Sequence, residues 1–248
     1  VTVRAVIFDL GHTVWDYVPT QNGRRLAVLG LHSRLAAVLD GQLPPAADLD
    51  AALAAAMQGW LASWRSSDDL SQPPSETLVG EGLERLGIEM DPAQLRELTL
   101  PLFGSELDPP VIEPDSLAAL AELHGRGLSM GCVTNTILLD QGIRDALYSL
   151  GLLRYFDSVV VSSAMGYRKP HESLFRRALD ELGVAANEAV FVGDRLFEDV
   201  CGAQAIGMRA VLTRQYRQET VEGSVRPDAI IARLAGLPAV IERLDRQN

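Results

Sequence analysis

An α/β fold is what this sequence predicts: a parallel sheet with helices on both faces, plus an inserted all-helical unit. Three observations predict it. Short apolar runs alternate with amphipathic helical patterns over most of the chain. One long interval, from Asp16 to about Pro110, carries helical patterns and no strand-like run. The chemically useful polar residues collect just after the apolar runs.

Taken in order, the stretches 3–8, 128–133, 159–161, 189–192, 210–212 and 229–231 are short, apolar and rich in β-branched residues, which reads as buried strand. Because these runs are continuous rather than alternating, both faces of the sheet must be covered. Between and after them, 115–126, 139–150, 172–183, 197–206 and 237–244 repeat their apolar residues at helical spacing. Strands separated by helices imply a parallel sheet. In the strandless interval, Leu49, Leu53, Met57, Trp60, Leu61 and Trp64 fall on one helical face, as do Leu95, Leu98 and Leu102. The pairs Pro44-Pro45, Pro73-Pro74 and Pro109-Pro110 punctuate it. The expected division is a core of residues 1–16 and 111–248 with a helical insert at 17–110, in which Trp60 and Trp64 read as the insert's own core, with a substrate platform as the alternative.

A chain of 248 residues, 47% of them apolar, can bury one large core or a core with a smaller inserted unit. The net charge of -11 argues against nucleic acid as a partner. Cys132 and Cys201 form no C-x-x-C pair, so buried free thiols in a reducing compartment are expected. No apolar run approaches the roughly 18–20 residues that span a bilayer. The first residues already read as a strand rather than a cleavable leader. The expectation is a cytoplasmic protein off the membrane, monomeric or homodimeric. Of 22 lysines and arginines, only Lys169 is lysine, which reads either as a position that a guanidinium would not fit or as chance placement.

The first strand ends at Asp9 and the second at Thr134-Asn135. The third runs into a loop carrying Arg168-Lys169-Pro170, and the fourth ends in VGDRLFED, with Asp194, Glu198 and Asp199. Ligands of open parallel sheets sit outside the carboxyl ends of the strands. Each residue alone is explained by capping or a turn; four strand ends together gather carboxylates, a hydroxyl and an ammonium around one crevice.

With those residues assembled, the chain resembles the haloacid dehalogenase-like hydrolase superfamily over nearly its whole length. DLGHTV, VTNT, YRKPHESLF and VGDRLFEDVCGAQAIGM are similar to its four motifs in order, and the helical insert resembles its cap on a Rossmann-like core. The resemblance implies that Asp9 is a nucleophile attacking phosphorus and that magnesium is the cofactor. Its ligands would be Asp9, Asp194 and the main-chain oxygen of Gly11, with Asp199, aided by Glu198, completing the metal site. Thr134 and Asn135 would hold a phosphate oxygen, and Lys169 would link the nucleophile to the phosphate. Thr13, Arg195 and Trp15 would face the substrate, with Tyr17 beside Trp15 at the hinge. The substrate would be a small phosphorylated metabolite.

One departure from the family pattern bears on chemistry. Phosphatases of this family usually carry a second aspartate two residues after the nucleophile, as the leaving group's proton donor; here that position is Gly11. A positioned acid–base group is worth about 10²–10⁴ in rate. His12, standing where the motif usually has glycine, is the nearest surrogate acid, since imidazole exchanges protons near neutrality. Without such a group, aryl phosphates should react far better than alkyl ones. Two other readings compete: a 2-haloacid dehalogenase, in which Asp9 attacks carbon without a metal, and a catalytically weak phosphate-binding or regulatory protein. Arg24 and Arg25 read as a solvated helix face, and His32 and His124 have no ligand-like spacing.

Overall fold

The computed structural model describes residues 2–16, 20–39, 43–66, 69–100, 110–221 and 223–246, the side chains of 65 and 66 excepted. Tyr17, Leu102 and Pro109 lie outside them.

Six parallel strands form one sheet: β1 (Ala5–Phe8), β2 (Ser129–Thr134), β3 (Ser158–Val161), β4 (Ala189–Gly193), β5 (Arg209–Thr213) and β6 (Ala229–Ile231), in the order β3-β2-β1-β4-β5-β6. The order reverses at β1, between β2 and β4, so the crevice that ligands occupy in such sheets opens above β1. Successive side chains of a strand point to opposite faces. Val6, Phe8, Met130, Cys132, Val190, Val192 and Val211 accordingly pack on one side. Their partners there are Leu120 and Leu123 of α5 (Pro114–Gly125), Ile143 and Leu147 of α6 (Asp140–Ser149), and Ile241 and Leu244 of α10 (Leu237–Arg246). Ala5, Ile7, Val133 and Phe191 pack on the other, against Leu174, Phe175 and Ala178 of α8 (Glu172–Leu182) and the segment 196–205. That segment reads as one helix in the sequence. It begins as a π-helical stretch, Leu196–Cys201, and passes into the short α9 (Gly202–Ala205). The short α7 (Ser162–Met165) follows β3.

Between β1 and α5 lie α1 (Gln21–Val38), α2 (Ala46–Ser66), α3 (Ser75–Glu84) and α4 (Pro92–Thr99). Their ends follow local rules. The Thr20 hydroxyl accepts from the Gly23 N–H at 2.9 Å, and Asp91 with Gln94 forms a capping box at α4. Val28, Leu31, Leu35, Leu49, Val79, Leu83 and Leu98 make a separate apolar core. The α2 stripe departs from expectation. Leu49 is buried, but Trp60 and Trp64 stand outside this core and are only half-buried, packed edge to face at 4.4 Å. Past Ala56, Met57, Leu61 and Trp64 line the crevice beside the sheet while Trp60 faces Leu78 and Glu81 of α3, so one helix serves a core at one end and a crevice wall at the other.

The entry and exit of these helices are pinned together by Asp16 and Val111, each N–H donating to the other's carbonyl at 2.8 Å. A second seam joins the helices to the β3–α8 loop: the Gln72 N–H donates to the Gly166 carbonyl and the Arg168 N–H to the Leu70 carbonyl. The Ser75 hydroxyl adds a bond to the Ile137 carbonyl. No helix of the described residues is long and apolar enough to cross a membrane.

Candidate active site

Asp9 closes β1 almost fully buried, with its N–H donating to the Val192 carbonyl at 2.8 Å, so its carboxylate projects from the carboxyl edge of the sheet. Lys169 Nζ donates to Asp9 Oδ1 at 2.8 Å and to Asp199 Oδ1 at 2.6 Å, with all three side chains buried. The ammonium is a compact bridge between two carboxylates, which explains lysine in a chain that otherwise uses arginine. Burial alone would lower the Lys169 pKa, but Asp199 and Asp9 override it and hold the ammonium charged.

Asp194 follows β4 and is also buried. Carboxylate oxygens of Asp9, Asp194 and Asp199 all lie within 4.8 Å of one another. Such crowding is costly without compensating cations. Burial pushes the Asp194 carboxyl up to about 8, with the charges of Asp9 and Asp199 adding and Arg217 opposing. Burial raises Asp9 too, against Lys169 and with Asp199. Asp194 Oδ2 is 2.7 Å from Arg217 Nε, a charge contact that does not meet hydrogen-bond geometry, so this buried oxygen has no hydrogen-bond partner among the described residues. Asp199 is held on both oxygens, the second by the Arg195 N–H at 2.9 Å.

The other expected residues divide. Thr13 is fully buried, and its hydroxyl donates to Asp9 Oδ2 at 3.3 Å; it steadies the carboxylate rather than facing the crevice. Asn135, expected on the phosphate, turns its amide to the backbone of Lys169: Oδ1 accepts that N–H at 2.7 Å and Nδ2 donates to its carbonyl at 3.2 Å. Thr134, Asn135, Gly11, His12, Trp15, Arg195 and Glu198 all line one crevice of about 1290 Å³ with the acids and Lys169. His12 has φ +57, in the left-handed region where glycine is unstrained. Its ring Nδ1 is 2.8 Å from Asp16 Oδ1. Arg195 pairs with Glu198 at 3.0 Å. A Cβ added at Gly11 would meet nothing within 4 Å. His32 meets the Pro44 carbonyl at 3.0 Å and His124 packs on Tyr155, both away from the site.

Two residues escaped sequence reasoning. Arg217, on the loop after β5, reaches Asp194 only through the fold, and no local pattern announces it. Arg168 stood inside a noticed motif but received no role. Its guanidinium lies over the Trp64 ring at 5.1 Å and donates to the carbonyls of Trp64 and Asp69, tying α2 to the residue beside Lys169.

Set beside known proteins, residues 3–207 match the model of the haloacid dehalogenase-like hydrolases. A phosphoserine phosphatase of Thermus thermophilus is 38% identical over 165 residues, 66% of this chain and 62% of that protein. The chain thus spans under two thirds of that relative's length. A phosphoglycolate phosphatase of Yersinia pseudotuberculosis is 30% identical, covering 96% of this chain and 93% of that one. Among solved structures, a 2-haloacid dehalogenase from Pseudomonas syringae pv. tomato aligns with a TM-score of 0.68 at 27% identity, covering 98% of this chain and 99% of the other.

Proposed function

The chain belongs to the haloacid dehalogenase-like hydrolase family, and from that premise we propose that it is a magnesium-dependent phosphatase working through an aspartyl-phosphate on Asp9. In this reading residues 1–16 and 111–248 are the catalytic core and 17–110 the cap, and the substrate is a small phosphorylated metabolite.

The observation that carries the reading is the buried trio Asp9, Asp194 and Asp199, one of whose oxygens has no hydrogen-bond partner among the described residues. Hard carboxylate oxygens at this spacing suit a hard divalent cation. Asp9, Asp194 and the Gly11 carbonyl would hold it, with Asp199 supporting from behind Lys169. When bound, such an ion supplies Lewis acidity and offsets the like charges of carboxylate and phosphate.

Asp9 attacks phosphorus and the P–O bond to the leaving oxygen breaks. Water then attacks the phosphorus, the Asp9–phosphorus bond breaks, and the carboxylate is restored as inorganic phosphate departs. Lys169 donates to Asp9 Oδ1 at 2.8 Å, and the bond of Thr13 to Oδ2 is longer, at 3.3 Å. Gly11 brings no proton to the leaving oxygen, and the His12 ring is turned to Asp16.

A phosphatase panel with and without magnesium, run on wild type, Asp9→Asn and Gly11→Asp, tests this. The expected result is magnesium-dependent turnover, lost in the first variant and raised on alkyl phosphates in the second. Retained activity in Asp9→Asn overturns the nucleophile assignment. The likeness to a 2-haloacid dehalogenase supports a second reading, halide displacement at carbon. Chloride release from a haloacid in the presence of a chelator would establish it in place of the first.

A further inference from the structure

Deepening the phosphatase reading, on which it rests, we propose that the crevice takes a phosphate monoester whose leaving group is a bulky aromatic alcohol. Three independent features of the crevice converge on that class.

Size comes first. About 1290 Å³ exceeds the roughly 300–1,000 Å³ of ordinary small-molecule pockets. A two- or three-carbon phosphate would leave most of that volume to water.

The second feature is the wall. Leu53, Met57, Leu61 and Trp64 of α2 line the crevice, joined by Ile137 and Ile143 from the sheet side. Leu61 is 37% exposed, an apolar side chain with no core to enter. The cations in the same crevice already have partners. Lys169 and Arg217 sit on the acid trio, Arg195 on Glu198, and Arg24 on Asp50 at 2.8 Å. Arg168 is spread over Trp64 and donates to two carbonyls. A substrate carboxylate, such as phosphoserine or phosphoglycolate carries, therefore meets no cation still awaiting a partner among the described lining residues. An aromatic ring meets leucine, a thioether and an indole, surfaces that favour it.

The third feature is Gly11. An aryloxide is weakly basic and leaves without a positioned proton donor, whereas an alkoxide does not. In the reaction the P–O bond to the aryl oxygen breaks, the aryloxide departs with the electron pair and takes its proton from solvent, and water supplies the new oxygen of inorganic phosphate. A site without the acid and a chamber without a spare cation select the same substrates.

The test compares 2-naphthyl phosphate, phenyl phosphate, acetyl phosphate and phosphoserine with magnesium. The two aryl esters have leaving oxygens of similar basicity and differ in apolar size, so their ratio reads the chamber alone. Wild type is expected to favour naphthyl over phenyl by at least about tenfold in kcat/KM, the scale at which a pocket registers added hydrocarbon, with phosphoserine below both. Leu61→Asp, at an exposed position that tolerates polarity, is expected to bring the ratio toward one. Equal naphthyl and phenyl values, a preference for phosphoserine, or a ratio unchanged in Leu61→Asp overturns the proposal. Acetyl phosphate is small and needs no proton donor, so it reports on the phosphatase reading separately. Its turnover without a naphthyl preference removes only the aromatic chamber, and inertness of all four compounds removes the phosphatase itself.

Discussion

Between Asp9 and Thr13 the chain places a carboxylate, a glycine, a strained histidine and a hydroxyl within one turn of backbone. Their separate fates show how residue chemistry and geometry divide the work. Asp9 is buried at a cost that its raised pKa records. On the proposed mechanism Asp9→Asn removes the nucleophile, and it eases the crowding of three acids. It should lower kcat at least about 10⁴-fold, leaving the thermal midpoint within a few degrees of wild type by calorimetry. Gly11 has open space at its Cβ and no positive φ. Gly11→Asp should therefore fold and raise kcat on alkyl phosphates by about 10²–10⁴, with a smaller gain on aryl phosphates. Cys132, fully buried on β2, is a different case. Burial first, then the Asp9 charge, lifts its thiol from 9.0 to about 12. At pH 8 a thiol reagent should modify Cys201, which is half-buried, and spare Cys132 until the chain is unfolded, as counted by mass spectrometry. The sign for stability follows. Between about pH 9 and 12 the unfolded chain ionises this thiol and the folded one does not, so the fold loses stability as pH rises through that window.

At the scale of elements, the junction of β4 with the π-helical turn sets where Asp199 sits in the acid trio. Gly193 ends the strand, and a Cβ there would lie 2.3 Å from the Asp199 carboxylate. Asp199 can reach back beneath the strand end only because that position is bare. The turn 196–201 is wider than an α-helix, with the N–H groups of Asp199 and Val200 both donating to the Arg195 carbonyl, a device found mostly at functional sites. Gly193→Ala must displace the carboxylate. It should cost about 1–3 kcal/mol in denaturant unfolding, and on the proposed function it should weaken turnover as well, because Asp199 holds Lys169. Wild-type stability in Gly193→Ala would show that the close approach can relax. The strand-to-helix step was readable as GDRLFED. Its π-helical character was not, because periodicity over six residues does not separate 3.6 from wider turns.

For the whole molecule, the metal site proposed at the acid trio would make folding and metal binding one equilibrium. A ligand bound only by the folded state at about 100 times its dissociation constant adds about 2.7 kcal/mol, or about 5–10 °C for a chain of this size. Saturating magnesium should raise the calorimetric midpoint by that amount, Asp194→Asn should abolish the shift, and no shift in wild type would refute metal binding at this site. The sheet, its flanking helices and the strandless insert were legible because burial on both faces forces continuous apolar strands, and helices must bury a stripe. Asp9, Lys169, Asp194 and Asp199 were legible because strand ends of a parallel sheet share one edge. The hydrogen bonds of Asn135 to the Lys169 backbone and of Thr13 to Asp9 were not legible, since polar groups take the partners that packing puts nearest. Trp64 likewise left the insert's core for the crevice wall, and Arg217 joined Asp194 from a loop with no pattern of its own. Local patterning by itself determined the layers, the order of elements and the acids and lysine at the strand ends. Which buried oxygen lacks a hydrogen bond, which cations are already engaged and what the crevice wall is made of were decided only by tertiary structure, because charge pairing and desolvation depend on distances between segments far apart in the chain.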